Sequence, residues 1–164
     1  MENKLGEWNK NLLEAKIFAL KNDRPLIVMA CAIKSCSYCK GVEANIFTQE
    51  SWKNYCKLKG ISQYRADSGE KESFRVLRAI TPEFRVTAFP FVIILDVKDT
   101  ADLTSDKLDK KKNVDLIGKF IYRPNRSYNG IKITPYSVEK STDNFIQVLE
   151  SFYKESHPEW LKDM

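Results

Sequence analysis

The stretch PLIVMACAIKSCSYCKGVEANIF, residues 25–47, decides how the rest of the chain is read. Leu26 to Ile33 is apolar without alternation, the pattern of a strand covered on both faces. Pro25 opens it, because proline holds the residue before it in extended backbone. From Cys36 the pattern predicts a helix to about Phe47, with Cys39, Val42, Ala44 and Ile46 as packing positions. Two thiols three residues apart therefore fall where a buried strand gives way to a helix.

That placement bears on chemistry. The start of a helix presents unpaired N–H groups and the positive end of its dipole, and both stabilise a thiolate. Cys36 at that end would stay accessible. Cys39, one turn further in on the same side, would be less reactive but close enough to attack a mixed disulfide formed by Cys36. Redox chemistry is the expected use of the pair, with an inert pair as the bland alternative. Zinc is not expected: a tetrahedral site wants four ligands, the one histidine is His157, and there is no second Cys-x-x-Cys. Cys31, inside the apolar strand, and Cys56, beside Trp52 and Tyr55, read as small buried hydrophobes. His157 reads as a surface residue of a polar tail.

Outward from this stretch, Leu5, Trp8, Leu12, Ala15 and Ala19 recur at helical steps, predicting an amphipathic helix that ends near Asn22–Asp23. Thr48 is the expected cap of a helix holding Trp52, Tyr55 and Cys56 and closed by Gly60. Ile61–Ala66 reads as a weaker strand, and a helix is expected around Phe74, Leu77 and Arg78, stopping at Thr81–Pro82. FPFVIILDV, residues 89–97, is the second strongly apolar strand, and LIGKFIY, residues 116–122, is the last. Residues 98–115 and 123–140 are polar and read as long loops. Tyr122, Arg123, Arg126, Tyr128 and Lys132 read as a solvated aromatic and basic cluster near a partner-binding surface. Ser141 or Thr142 can cap a final helix with Phe145, Val148, Leu149, Phe152 and Tyr153 on one face. This order of elements implies an α/β architecture, one sheet layer with helices on both faces, in a single domain spanning residues 1–164.

The length of 164 residues is enough to bury a sizeable core without disulfide staples. Lys and Arg number 27 against 22 Asp and Glu, a net charge of +5 with no long single-sign block, which argues against nucleic acid as a partner. No apolar run approaches the roughly 18 residues of a membrane span. The N-terminus lacks the order of a secretory signal, so the expected compartment is the cytoplasm for a complete chain and the periplasm if a leader has been removed.

Taken together, Trp8, Arg24–Pro25, LIVMA, CSYCK, Glu43, Phe47, TAFPFVIILD and the Gly118 strand make the chain resemble the bacterial thioredoxin-like proteins. The resemblance covers nearly the whole chain except the two long polar loops. It implies a thioredoxin fold: a central mixed sheet flanked by helices, with an N-terminal amphipathic helix and two loop insertions. It further implies a thiol–disulfide oxidoreductase acting on protein disulfides or thiols, with no bound cofactor and with electrons from a partner reductase or dithiol. The reducing direction is slightly preferred. Cys36 and Cys39 would be catalytic. Tyr38, Phe89 and Pro90 would form the substrate surface, Pro90 standing where the family has a cis-proline and the Phe89 backbone pairing with an extended substrate segment. The resemblance sets Ala30 where thioredoxins carry a buried acid, so proton transfer at Cys39 would use water, Lys34 or Glu43. The alternative is a thioredoxin-scaffold binding module whose long loops grip a protein partner.

Overall fold

The computed structural model describes residues 4–9, 11–70, 88–98, 114–133 and 137–164. Helix α1, Leu12–Asn22, precedes strand β1, Leu26–Cys31; α2, Ser37–Val42, then runs directly into a π-helical segment, Glu43–Phe47. Helix α3, Glu50–Lys59, and strand β2, Ser62–Asp67, follow. Beyond them come β3, Phe91–Val97; β4, Val114–Ile121; a small ladder of β5, Ser127–Tyr128, and β6, Ile131–Lys132; helix α4, Ser141–Tyr153; and a 3₁₀ turn, Pro158–Leu161. The main sheet has the order β2-β1-β3-β4, with β1 parallel to β2 and antiparallel to β3, and β3 antiparallel to β4.

All six residues of β1 are buried, and side-chain alternation explains why the strand shows no polar face. Leu26, Val28 and Ala30 join Leu12, Ala15 and Ala19 of α1 in one core on one side of the sheet. Ile27, Met29 and Cys31 join Cys39, Val42, Ile46, Phe47, Trp52 and the buried face of α4 on the other. Each face of β1 is thus covered, and the layered α/β architecture expected from the sequence is the one observed.

Several boundaries differ from expectation. The first helix starts only at Leu12, because the Asn11 side chain accepts from Leu13 N at 2.8 Å and caps it. Trp8 and Leu5 lie before it, and Asn9 makes a parallel bridge to Tyr64 on the edge of β2. Ala44 is exposed, not packed, since the wider π turn carries an extra residue and shifts the helical register past it. Thr48 does not cap α3: it closes the π segment, its hydroxyl donates back to Ala44 O, and Gln49 precedes α3. The expected loop 123–140 contains the β5–β6 hairpin, whose turn residues Asn129 and Gly130 both have positive φ, the backbone a two-residue primed turn requires. The helix expected around Phe74 and most of the 98–115 loop lie outside the described residues. Among the described residues no helix is long and apolar enough to cross a membrane.

Candidate functional site

The chain leaves β1 at Cys31 and makes a tight turn in which Ser35 N and Cys36 N both donate to Ala32 O, at 3.0 and 2.7 Å. Cys36 keeps extended backbone, with φ −99° and ψ 111°, and is the cap of α2. Its sulfur takes the place of the usual capping oxygen: Cys39 N donates to Cys36 Sγ at 3.2 Å. A thiolate accepts such a bond more strongly than a thiol does. Cys36 is half-buried, whereas Cys39 is fully buried in the core beneath it. Burial, then the hydrogen bond to Cys36, pushes the Cys39 thiol up to about 12, against a smaller lowering by the Ala32 backbone. Both cysteines are free thiols.

Cys31 and Ala30 fall on opposite sides of the sheet, and it is Cys31 that shares a core with Cys39. The thiol of Cys31 therefore occupies the β1 position under the cysteine pair. Burial pushes it up to about 12, helped by Asp67 and opposed by Arg65. Glu43 is engaged elsewhere: Trp8 Nε1 donates to both its carboxylate oxygens at 3.2 Å, and Arg65 pairs with it at 3.3 Å. Trp8 in turn packs on Phe47, with centroids 4.8 Å apart. This knot of Trp8, Glu43, Arg65 and Phe47 fixes the π segment against β2 and hence the helix that carries the cysteines. Lys34 is exposed on the turn. Among the described residues, no three His, Cys, Asp or Glu side chains gather as a metal site.

Phe89 and Pro90 enter β3 and are joined by a cis peptide bond. Pro90 is buried and Phe89 half-buried, touching both cores. The strand that leaves β4 runs alongside: Tyr122 N donates to Pro90 O at 3.1 Å. Tyr122 is buried, not solvated, and its hydroxyl donates to Asn144 Oδ1 at 2.7 Å. The next residue, Arg123, makes the contact that the sequence did not disclose. Its Nε and Nη2 donate to Phe89 O at 3.0 and 2.8 Å, and its guanidinium lies over the exposed ring of Tyr38, 4.8 Å from the centroid. Arg123 therefore ties together Tyr38, Phe89 and, through Tyr38, the cysteine helix. The only signal for it was its membership of an aromatic and basic cluster.

At the opposite end of β3, buried Asp96 accepts from Lys98 Nζ at 2.9 Å and pairs with His157 Nε2 at 2.9 Å. His157 stacks on Trp160, 4.0 Å between centroids, so it is tucked in by the 3₁₀ turn and not on the surface as expected.

Strand order, helix placement and the half-buried thiol at a helix cap together define a thioredoxin-like fold. Two solved structures share it. One titled DsbH oxidoreductase matches with TM-score 0.57 and 13% identity over 90% of this chain and 84% of its own. A thioredoxin from Thermus thermophilus matches with TM-score 0.54 and 12% identity over 93% of this chain and 94% of its own. No protein-family model matches the chain, and no curated protein matches its sequence.

Proposed function

We propose that the chain is a thiol–disulfide oxidoreductase that acts on protein disulfides through a Cys36/Cys39 dithiol–disulfide cycle, working in the reducing direction. The observation that carries this is the asymmetry of the pair: Cys36 is accessible and caps a helix with its sulfur, while Cys39 is buried one turn below and donates to it. The thiolate of Cys36 attacks one sulfur of the substrate disulfide, forming a mixed disulfide and releasing the other sulfur as a thiolate that takes up a proton. Cys39 then loses its proton and attacks Cys36 Sγ. The second substrate thiol leaves, and a Cys36–Cys39 disulfide remains. Two electrons have passed to the substrate, and a partner reductase or small dithiol must return them.

In this reading Tyr38, two residues after Cys36, and Phe89–Pro90, tied to Tyr38 through Arg123, form the substrate surface. A substrate strand added at Phe89 would ordinarily bond to its carbonyl. Here that oxygen already receives two donors from Arg123, which fill its two lone pairs. The strand must either displace the arginine or bond to it instead.

The test is insulin reduction with dithiothreitol as electron source. Wild type is expected to accelerate it, Cys36→Ser to abolish the acceleration, and Cys39→Ser to accumulate a mixed disulfide detectable by mass. Turnover that survives Cys36→Ser would sink the proposal, and a scaffold that only binds partners would show no Cys36-dependent turnover.

A further inference from the structure

We propose that Arg123 determines specificity at this site by selecting polypeptide disulfides that carry an acidic side chain beside the reactive cysteine. This deepens the oxidoreductase proposal and rests on it.

The argument starts from an exchange of hydrogen-bonding character. At the Phe89 edge an incoming segment would meet a backbone acceptor, the Phe89 carbonyl. Arg123 covers that acceptor with two N–H donors and puts a cation in its place. A guanidinium has five N–H groups, and the bonds to Phe89 O use the one on Nε and one on Nη2. The second hydrogen of Nη2 and the neighbouring hydrogen of Nη1 form the end edge of the fork. Among the described residues no carboxylate pairs with Arg123 and nothing else accepts from that edge. Such an edge matches the two oxygens of a carboxylate.

The fork is also held in place. Phe89 O fixes one side and the Tyr38 ring supports one face, so little freedom remains to be lost when a ligand binds. Arg123 is half-buried, which reduces solvent screening relative to a surface cation. Lys34 and Lys40 are exposed two residues before and four residues after Cys36, adding the same sign of charge around the sulfur. Of the two acids near Cys31, Glu43 pairs with Arg65, and Asp67 is buried on β2. An anionic side chain next to the substrate cysteine therefore meets complementary charge, and a lysine there meets repulsion.

The experiment uses three quenched fluorogenic peptides, each with an intramolecular disulfide and identical except for Glu, Gln or Lys beside the cysteine. Dithiothreitol is the electron source, and uncatalysed rates are subtracted. For the wild-type chain, kcat/KM is expected to fall about fivefold from Glu to Gln and about as much again from Gln to Lys, the size of one charge-assisted contact near a surface. The spread is expected to shrink on raising ionic strength to about 0.5 M. Arg123→Gln is expected to remove most of the Glu preference over Gln, leaving only what Lys34 and Lys40 contribute. Arg123→Lys, which keeps a point charge but no fork, is expected to retain part of the Glu preference while remaining a milder test of folding.

Equal kcat/KM for the three peptides with wild type, with turnover still dependent on Cys36, would overturn the acid preference and leave the oxidoreductase proposal standing. An undiminished Glu-to-Gln ratio in a folded Arg123→Gln variant would overturn the assignment to Arg123. Absence of Cys36-dependent turnover with all three peptides would overturn the oxidoreductase proposal, and this one with it.

Discussion

Gly118 offers a direct measurement of how closely α4 is pressed onto the sheet. It lies in β4 opposite Ile94, at a bulge where the register steps from Ile94–Gly118 to Leu95–Leu116. A Cβ built there would stand 2.7 Å from Cγ of Phe152 and closer still to Cδ1. Carbon atoms in contact prefer about 3.5–4.0 Å, so the ring would have to withdraw by roughly 1 Å. It cannot do so freely, because Phe152 stacks on Phe120, 5.2 Å between centroids and 8° from parallel. Overpacking of this kind costs about 1–3 kcal/mol, and replacing a strand glycine returns about 0.5–1 kcal/mol. Gly118→Ala is therefore expected to destabilise the fold by about 1–2 kcal/mol. In a Phe152→Ala background the obstruction is gone, so the same alanine should be neutral or stabilising by about 0.5 kcal/mol, a coupling near 2 kcal/mol. Urea unfolding followed by circular dichroism, run on the four proteins of the cycle, measures it. Equal destabilisation in both backgrounds would refute the assignment of the clash to Phe152.

Three further outcomes are expected. Cys31 has its pKa raised to about 12 in the folded chain, from 9.0, so at pH 10–11 it is protonated when folded and ionised when unfolded. Its contribution is fully present below about pH 9 and is lost as pH rises, by about 1.4 kcal/mol per unit; Cys31→Ala should flatten the alkaline limb of a stability–pH curve, and an unchanged slope would count against a buried thiol there. Resolution of a mixed disulfide needs the Cys39 proton removed, so its single-turnover rate is expected to rise about tenfold per pH unit between pH 7 and 9, read by quenched-flow mass analysis; a flat profile would mean that Cys39 ionises more readily than its burial allows. Trp8→Phe retains packing on Phe47 but removes the donor to Glu43, and a loss of about 1–2 kcal/mol in urea unfolding is expected, with no loss if Arg65 alone holds the carboxylate.

What could be read without coordinates was what burial on both faces imposes. β1 announces itself as an unbroken apolar run, and β3 as one interrupted only by Asp96, because each face has its own core, and the cysteine pair then falls by default at the start of the helix that follows β1. Features set by a single local bond were harder to see. The start of α1 depends on one Asn11 side chain, and Trp8 joined the helical periodicity although its ring serves the Glu43 knot. The β5–β6 hairpin did carry a signal, Asn129–Gly130, but strands of two residues offer no alternation to accompany it. Arg123 reaches a carbonyl 34 residues earlier in the chain, and no pattern in a window of sequence encodes such a contact. His157 was hidden for the same reason, since its partner Asp96 lies 61 residues away.

The sulfur that closes the first turn of α2 has one further consequence. Any bond formed at Cys36, whether to a substrate, to Cys39 or to an alkylating reagent, removes a strong acceptor from Cys39 N and so changes how firmly that helix is begun. Covalent state and local helix order thus belong to one thermodynamic cycle. The difference in folding free energy between the dithiol and disulfide forms equals the difference in reduction potential between the folded and unfolded couples, about 1.4 kcal/mol for every 30 mV. A pair of melting curves, one in each covalent state, therefore measures how far folding itself biases the electron transfer.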